Sequence, residues 1–118
     1  MGSKYELTES RFIEQFELAD FILKTQAQIA KDFDRSGHDV AKILYEQTHD
    51  LDELTEIVSL MLDAVLKKGE QTTLQLLYQI DVPQGKFLQL TTDPEFLKKA
   101  SLLIIRREAQ KVYLRSIL

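Results

Sequence analysis

Cysteine is absent from this 118-residue chain, and histidine occurs only twice, as His38 and His49. The absence of cysteine excludes disulfide bonds, thiol nucleophiles and thiolate metal ligands, since each of them needs a cysteine sulfur. Two histidines leave little room for catalytic triads or for metal centres that use several imidazoles. A chain without disulfides fits the reducing cytoplasm, and we expect a cytoplasmic protein.

Long apolar runs and helix-breaking residues are also scarce. No apolar stretch approaches the ~20 residues that a membrane-spanning helix needs. The N-terminal segment MGSKYELTES lacks the apolar core of a secretory signal. The chain has only two prolines and four glycines, which predicts long helices with few interruptions. We therefore expect one domain over residues 1–118, with residues 1–7 as its candidate disordered segment.

Apolar residues recur at steps of three and four along most of the chain, the spacing of one face of an α-helix. Thr8 is a good N-cap, and the pattern after it predicts a first helix that, if unbroken, runs to Phe33. Its predicted core stripe consists of Phe12, Phe16, Ala19, Leu23, Ala27, Ala30 and Phe33. Asp39 then opens a short second segment over residues 40–47. These patterns indicate helices, and no part of the chain shows a convincing strand pattern.

Cap and stop residues predict the next two helices. Asp50 and Glu53 have the spacing of a capping box ahead of a third helix. Gly69 is placed to end that helix in a left-handed cap. A fourth helix is predicted from Thr72 until it is stopped near Pro83, because the residue before proline disfavours the helical conformation.

The C-terminal part of the sequence is the most apolar helix pattern in the chain. A short turn of helix is predicted after Pro83, and Thr92 with Glu95 has the spacing of a second capping box. The helix from Pro94 to Leu118 carries apolar residues around nearly its whole circumference, which is typical of a helix buried on several sides. The sequence thus predicts an all-α, single-domain bundle of four main helices plus one or two short ones, with the C-terminal helix central.

The stretch KDFDRSGHDVAKI resembles half of a metal site. It begins with D-x-D-x-S-G, the first half of an EF-hand calcium loop, in which Asp32 and Asp34 would be ligands. Position twelve of such a loop must supply a bidentate carboxylate, and here it is Ile43. The alternative is a helix C-terminus with Gly37 as its left-handed cap, and we favour it.

Glu46 and His49 form a second partial motif, E-x-x-H, which places a carboxylate and an imidazole on one face of a helix. Di-iron bundles use two such motifs together with two further glutamates, and this chain has only one. Asp32, Asp34, Glu46 and His49 are therefore weak metal candidates. The sequence gives no positive argument for an enzyme, identifies no catalytic residue and leads us to expect no cofactor.

Charge is distributed unevenly along the chain. Residues 1–63 hold fourteen acids and six bases, a net charge of −8, and residues 64–118 have a net charge of +4. The basic cluster of the last helix comprises Lys98, Lys99, Arg106, Arg107, Lys111 and Arg115. One interpretation is structural, in which the cluster pairs with acids such as Asp52 or Glu56. The other is phosphate contact with nucleic acid, and its candidate residues are Arg106, Arg107, Lys111 and Arg115.

Apolar residues expected at the surface are the remaining indication of function. Phe21 lies opposite the predicted core stripe of the first helix, where either a second element packs against it, which we favour, or it belongs to a partner surface. Leu114 and Ile117 lie near the end of the last helix. The leading hypothesis is a non-catalytic cytoplasmic protein-interaction module that binds a protein partner or forms a homodimer. The alternatives are a nucleic-acid-binding protein that uses residues 98–115 and a small metal-dependent enzyme built around Glu46 and His49.

Overall fold

The computed structural model of the chain describes residues 6–118, and every regular element in that range is an α-helix. The helices are α1 (Glu9–Gln15), α2 (Ala19–Arg35), α3 (Ile43–Glu46), α4 (Leu51–Leu66), α5 (Glu70–Ile80), α6 (Gln84–Gln89) and α7 (Phe96–Ile117). The all-α prediction is confirmed, with four long helices and three short ones. Among residues 6–118, none of the helices has both the length and the apolar composition needed to cross a membrane.

The 22-residue helix α7 lies at the centre of the bundle. It packs against α2, α4 and α5, which explains why its apolar residues cover most of its circumference. The buried residues along it are Ala100, Ser101, Ile104, Ile105, Glu108, Ala109 and Val112. The predicted central position of the C-terminal helix is therefore confirmed.

Local capping interactions fix three helix ends where the sequence predicted them. The Thr8 side chain caps α1, and Asp50 with Glu53 forms the complete capping box of α4. At the end of α2 the N–H of Gly37 donates to the Asp34 carbonyl (2.9 Å), and the next N–H donates to the Phe33 carbonyl (3.0 Å). With a φ of 82° at Gly37, this is the Schellman arrangement of a helix C-terminus.

The first predicted helix is not continuous: residues 16–18 are not helical and separate α1 from α2. Phe16 and Phe21 are five positions apart and would point about 140° apart on one continuous helix. The break lets both rings enter the core, where they meet edge to face with centroids 6.1 Å apart. It also leaves Ala19, Leu23 and Ala27 of α2 exposed, although the predicted stripe placed them inside.

Smaller differences concern helix starts. The second segment is helical only over Ile43–Glu46, and α5 starts directly after Gly69 rather than at Thr72. The predicted Thr92 cap does not form. Instead α7 starts at Phe96, after a turn in which Asp93 accepts a hydrogen bond from the Glu95 N–H (2.8 Å).

The expectation of disorder for residues 1–7 falls mostly on residues 1–5, which lie outside the described range. Leu7 itself is buried. Its N–H donates a 2.9 Å hydrogen bond to the Oε1 atom of Gln110 on α7. Leu7 is therefore part of the folded domain, because its side chain and its backbone are both held against α7.

Candidate functional site

The most unusual group of side chains lies where α2 packs against α7. The Nζ atom of Lys111 is 2.8 Å from Oδ2 of Asp32, and one helical turn further along α7 the Arg115 guanidinium donates to Oε1 of Gln28. The contact four residues later on α7 is made four residues earlier on α2, so the two helices are antiparallel here. Together with Glu108, these four residues form what we call the junction cluster.

Glu108 is the most deeply buried charged residue of the cluster, with an exposed fraction of 0%. Lys111 Nζ approaches its Oε1 atom to 2.8 Å, but neither carboxyl oxygen accepts a well-aligned hydrogen bond within residues 6–118. Burial, and then the neighbouring Asp32 carboxyl, raise the pKa of Glu108 to about 9. Glu108 is therefore neutral at pH 7 and carries a proton that it can donate.

Asp32 behaves in the opposite way, although it too is buried. Burial opposes its ionisation, but hydrogen bonds from Glu108, Lys111 and Gln28 outweigh that effect and lower the pKa of Asp32. One of these bonds runs from Gln28 Nε2 to Asp32 Oδ1 at 3.1 Å. The cluster thus contains one carboxylate, one carboxylic acid and one ammonium group, and its main effect is to join two helices.

An open groove of about 410 Å³ lies beside the junction cluster. We call it the α2–α7 groove; its lining residues are Lys24, Ala27, Gln28 and Lys31 of α2 and Val112, Arg115 and Ser116 of α7. Ala27 and Val112 make its floor apolar. Two lysines and one arginine stand around that floor, which makes the groove a positively charged site on a chain of net charge −4.

The cations of this groove are weakly neutralised. Lys31 makes no ion pair with any residue of the described range, and Arg115 donates to an amide oxygen instead of a carboxylate. Lys24 pairs with Asp20 at 3.0 Å, but both side chains are largely exposed. Exposed pairs of this kind contribute little free energy, so Lys24 remains available to an incoming acid.

Most other cations of the basic cluster are paired within the chain. The ion pairs are Lys99–Asp93, Arg106–Glu9, Arg107–Asp81 and Lys111–Asp32. The expected acids, Asp52 and Glu56, are not the partners in these four pairs. Of the candidate nucleic-acid residues, Arg106, Arg107 and Lys111 are therefore held by acids of this chain, while Arg115 lines the groove.

The two residues proposed for a calcium loop do not lie in a loop. Helix α2 continues to Arg35, so Asp32 and Asp34 are both helical. Asp32 is held by Lys111, whereas Asp34 is exposed. The structure thus supports the alternative that the sequence favoured, a helix C-terminus capped at Gly37.

Glu46 and His49 do not share a helix, so they do not have the E-x-x-H geometry that the weak metal hypothesis required. Glu46 is the last residue of α3, and His49 precedes the Asp50 cap of α4. The His49 ring is buried, and its Nε2 atom lies 3.2 Å from the Ile43 carbonyl oxygen. Nowhere between residues 6 and 118 do three or more histidine, aspartate or glutamate side chains form a group that could hold a metal ion.

Sequence reasoning missed the buried polar residues. Gln26 accepts a 2.9 Å hydrogen bond from the N–H of His49 and donates to the carbonyls of Leu44 (3.0 Å) and Gln47 (2.9 Å). It thereby fastens α3 and the following linker to α2. Glu108 was detectable, because it is a single acid inside an otherwise apolar and basic helix.

The proposed partner residues have three different environments. Phe21 is only 6% exposed and its ring meets that of Phe16, so it packs in the core and does not form an open surface. Leu114 is half-buried, and Ile117 is 41% exposed. The apolar residues that α2 does expose are Ala19, Leu23 and Ala27, and the last of these forms part of the groove floor.

Comparison with known proteins adds no further assignment: no protein-family model, no curated protein and no solved structure matches this chain.

Proposed function

We propose that this chain is a non-catalytic, cytoplasmic helical module that binds another protein through the α2–α7 groove. The observation that supports this proposal is the charge around the groove. Lys24, Lys31 and Arg115 surround an apolar floor and are not neutralised by buried acids, whereas Lys111 on the same bundle is neutralised by the buried Asp32. Such a site suits an apolar segment that carries acidic residues.

The shape of the groove favours a helical partner segment. Two antiparallel helices form its walls, and one face of an amphipathic helix fits between such walls in the helix-in-groove mode of recognition. The exposed residues Ala19 and Leu23 extend the apolar floor along α2 beyond Ala27. Because alanine side chains are small, a partner helix can approach α2 closely along this line.

The environment of the junction cluster supports a non-catalytic role. A general acid or base must come within hydrogen-bond distance of its substrate, directly or through one water molecule. Asp32 and Glu108 are only 2% and 0% exposed. Gln28 and Lys111 each donate a hydrogen bond to an Asp32 oxygen. The two carboxyls therefore interact with neighbouring side chains rather than with a bound molecule.

Affinity capture from the native host tests this proposal. Wild-type protein, the groove variant Lys24→Glu/Lys31→Glu and the control Lys42→Glu/Lys86→Glu are immobilised, and the captured proteins are identified by mass spectrometry. The control makes the same change in net charge at exposed positions outside the groove. We expect a partner that wild type and control retain and the groove variant loses.

The captured partner is then purified and titrated directly. We expect the groove variant to weaken its binding at least tenfold, and we expect the wild-type affinity to fall as salt is added, because exposed charges are screened. A partner that binds the groove variant as tightly as wild type would overturn the assignment of the groove.

A further inference from the structure

Helix α4 carries a surface that complements the α2–α7 groove. Leu60 is 75% exposed, although α4 buries its other face against α5 and α7. It stands between Glu56, four residues before it, and Asp63, three residues after it. We call these three residues the α4 ridge: an apolar side chain flanked by two acids, of which Glu56 and Leu60 also line an open groove beside Lys98.

The spacing of the ridge matches the spacing of the groove. Read backwards along α2, Ala27 comes four residues after Lys31, and Lys24 comes three residues after Ala27. When two helices are laid antiparallel, Leu60 lies over Ala27. Both acids then lie opposite lysines, because each set of three residues spans about 10.5 Å at 1.5 Å per residue.

The fit is also one of size and charge. Ala27 is the smallest side chain of the groove floor and leaves space that a leucine can fill. Lys24 and Asp63 each have a partner now, Asp20 at 3.0 Å and Lys67 at 2.9 Å. Both are largely exposed pairs between residues four apart on one helix, and such weak pairs exchange partners readily.

We propose that the partner of the α2–α7 groove is the α4 ridge of a second copy of this chain, bound antiparallel. This inference rests on the proposed function, since it names the occupant of the same groove. Groove and ridge are different surfaces, so the contact is heterologous. Each bound copy keeps one free groove or one free ridge, and assembly therefore continues into a ring or an open filament.

A single helix-to-helix contact is smaller than a standard protein interface, so each contact is weak and assembly depends on concentration. Sedimentation velocity over a hundredfold concentration range is the first test. We expect the average sedimentation coefficient of wild type to rise with concentration at low salt, and we expect Leu60→Asp to stay monomeric. The matched control is Tyr78→Asp on α5, an 85% exposed apolar side chain outside both surfaces; it should behave as wild type.

A charge-exchange experiment tests the pairing itself. Lys24→Glu/Lys31→Glu has an acidic groove and an acidic ridge, and Glu56→Lys/Asp63→Lys has a basic groove and a basic ridge. Each variant alone should be monomeric, and an equimolar mixture should assemble with alternating copies. Circular dichroism of each variant verifies that the helices are intact.

Three results would overturn the inference. They are a wild type that is monomeric at the highest concentration, a mixture of the two charge variants that does not assemble, and association that Ile117→Asp abolishes while Leu60→Asp leaves it intact. The last result would place self-association at the end of α7, as the sequence suggested. All three results come from experiments on the purified chain alone. The proposed function of the groove is tested separately, by the affinity capture from the native host.

Discussion

Asp32 of α2 and Lys111 of α7, 79 residues apart in the sequence, form an ion pair of 2.8 Å with side chains only 2% and 17% exposed. Glu108 lies beside both and is completely buried. An ionised Asp32 next to a protonated Glu108 means that the contact between α2 and α7 depends on one proton. This part of the core should therefore respond to pH.

Glu108→Gln should stabilise the protein at neutral and alkaline pH. The folded state keeps the Glu108 proton up to a pKa of about 9, against an ordinary value of 4.5. As the pH rises through this window the unfolded chain releases a proton that the folded chain retains, so stability is lost by up to about 1.4 kcal/mol per pH unit.

Glutamine has the shape of protonated glutamate but does not titrate. We expect the variant to be more stable than wild type by roughly 1–3 kcal/mol at pH 7–8, with a flatter profile in urea unfolding between pH 5 and 9. Glu108→Ala, which leaves a cavity, is the control and should be destabilised. Parallel profiles for Glu108→Gln and wild type would contradict the assignment.

Lys111→Met should destabilise the fold strongly. The substitution leaves the Asp32 carboxylate buried without its cation, and breaking a buried ion pair in this way costs about 3–5 kcal/mol. Lys67→Met, which breaks an exposed pair with Asp63, is the control and should change stability by less than ~1 kcal/mol. Urea unfolding at pH 7 compares them, and adding Asp32→Asn to Lys111→Met should recover part of the loss.

His38 should make the protein less stable in mild acid. Burial, and then the nearby Lys68 ammonium, lower the pKa of His38 below 6.5, although Asp39 opposes this. Because protonation favours the unfolded chain, stability should fall as the pH drops below 6.5 towards the lowered pKa. His38→Gln should remove this part of the pH dependence. An NMR titration of the wild-type His38 ring that gives a pKa at or above 6.5 would contradict this prediction.

Gln26→Leu should loosen α3 and its linker. The substitution removes the three hydrogen bonds that Gln26 makes and leaves the carbonyl of Leu44 without the amide donor it now has. An unsatisfied buried polar group costs about 1–3 kcal/mol. Hydrogen exchange of the His49 amide should become faster, whereas Gln75→Leu on an exposed position of α5 should leave it unchanged.

Added Zn²⁺ or Ca²⁺ should leave the melting temperature unchanged. Asp32 is engaged by Lys111, and Glu46 and His49 lie on separate elements. A metal that binds only the folded state raises its stability by mass action. A rise in melting temperature at sub-millimolar metal would show that one of these partial motifs is a ligand set.

The helix ends that the sequence predicted correctly depend on residues close together in the chain. The Thr8 cap, the Asp50–Glu53 box and the positive φ at Gly37 are formed within a few residues of each position. Such local preferences act before any tertiary contact exists. The apolar circumference of residues 94–118 likewise predicted a central helix, because a helix apolar on all sides must be covered on all sides.

Tertiary packing alone decided where the first helix breaks and which α2 residues are exposed. No proline or glycine marks residues 16–18; the chain bends there because Phe16 and Phe21 are both buried in the core. The α2–α7 groove has the same origin, because Ala27 lies on the face of α2 that is exposed in the orientation α2 takes after the break. The partners of Lys111 and Arg107 lie 79 and 26 residues away, so only the folded arrangement of the helices could determine which acids they meet.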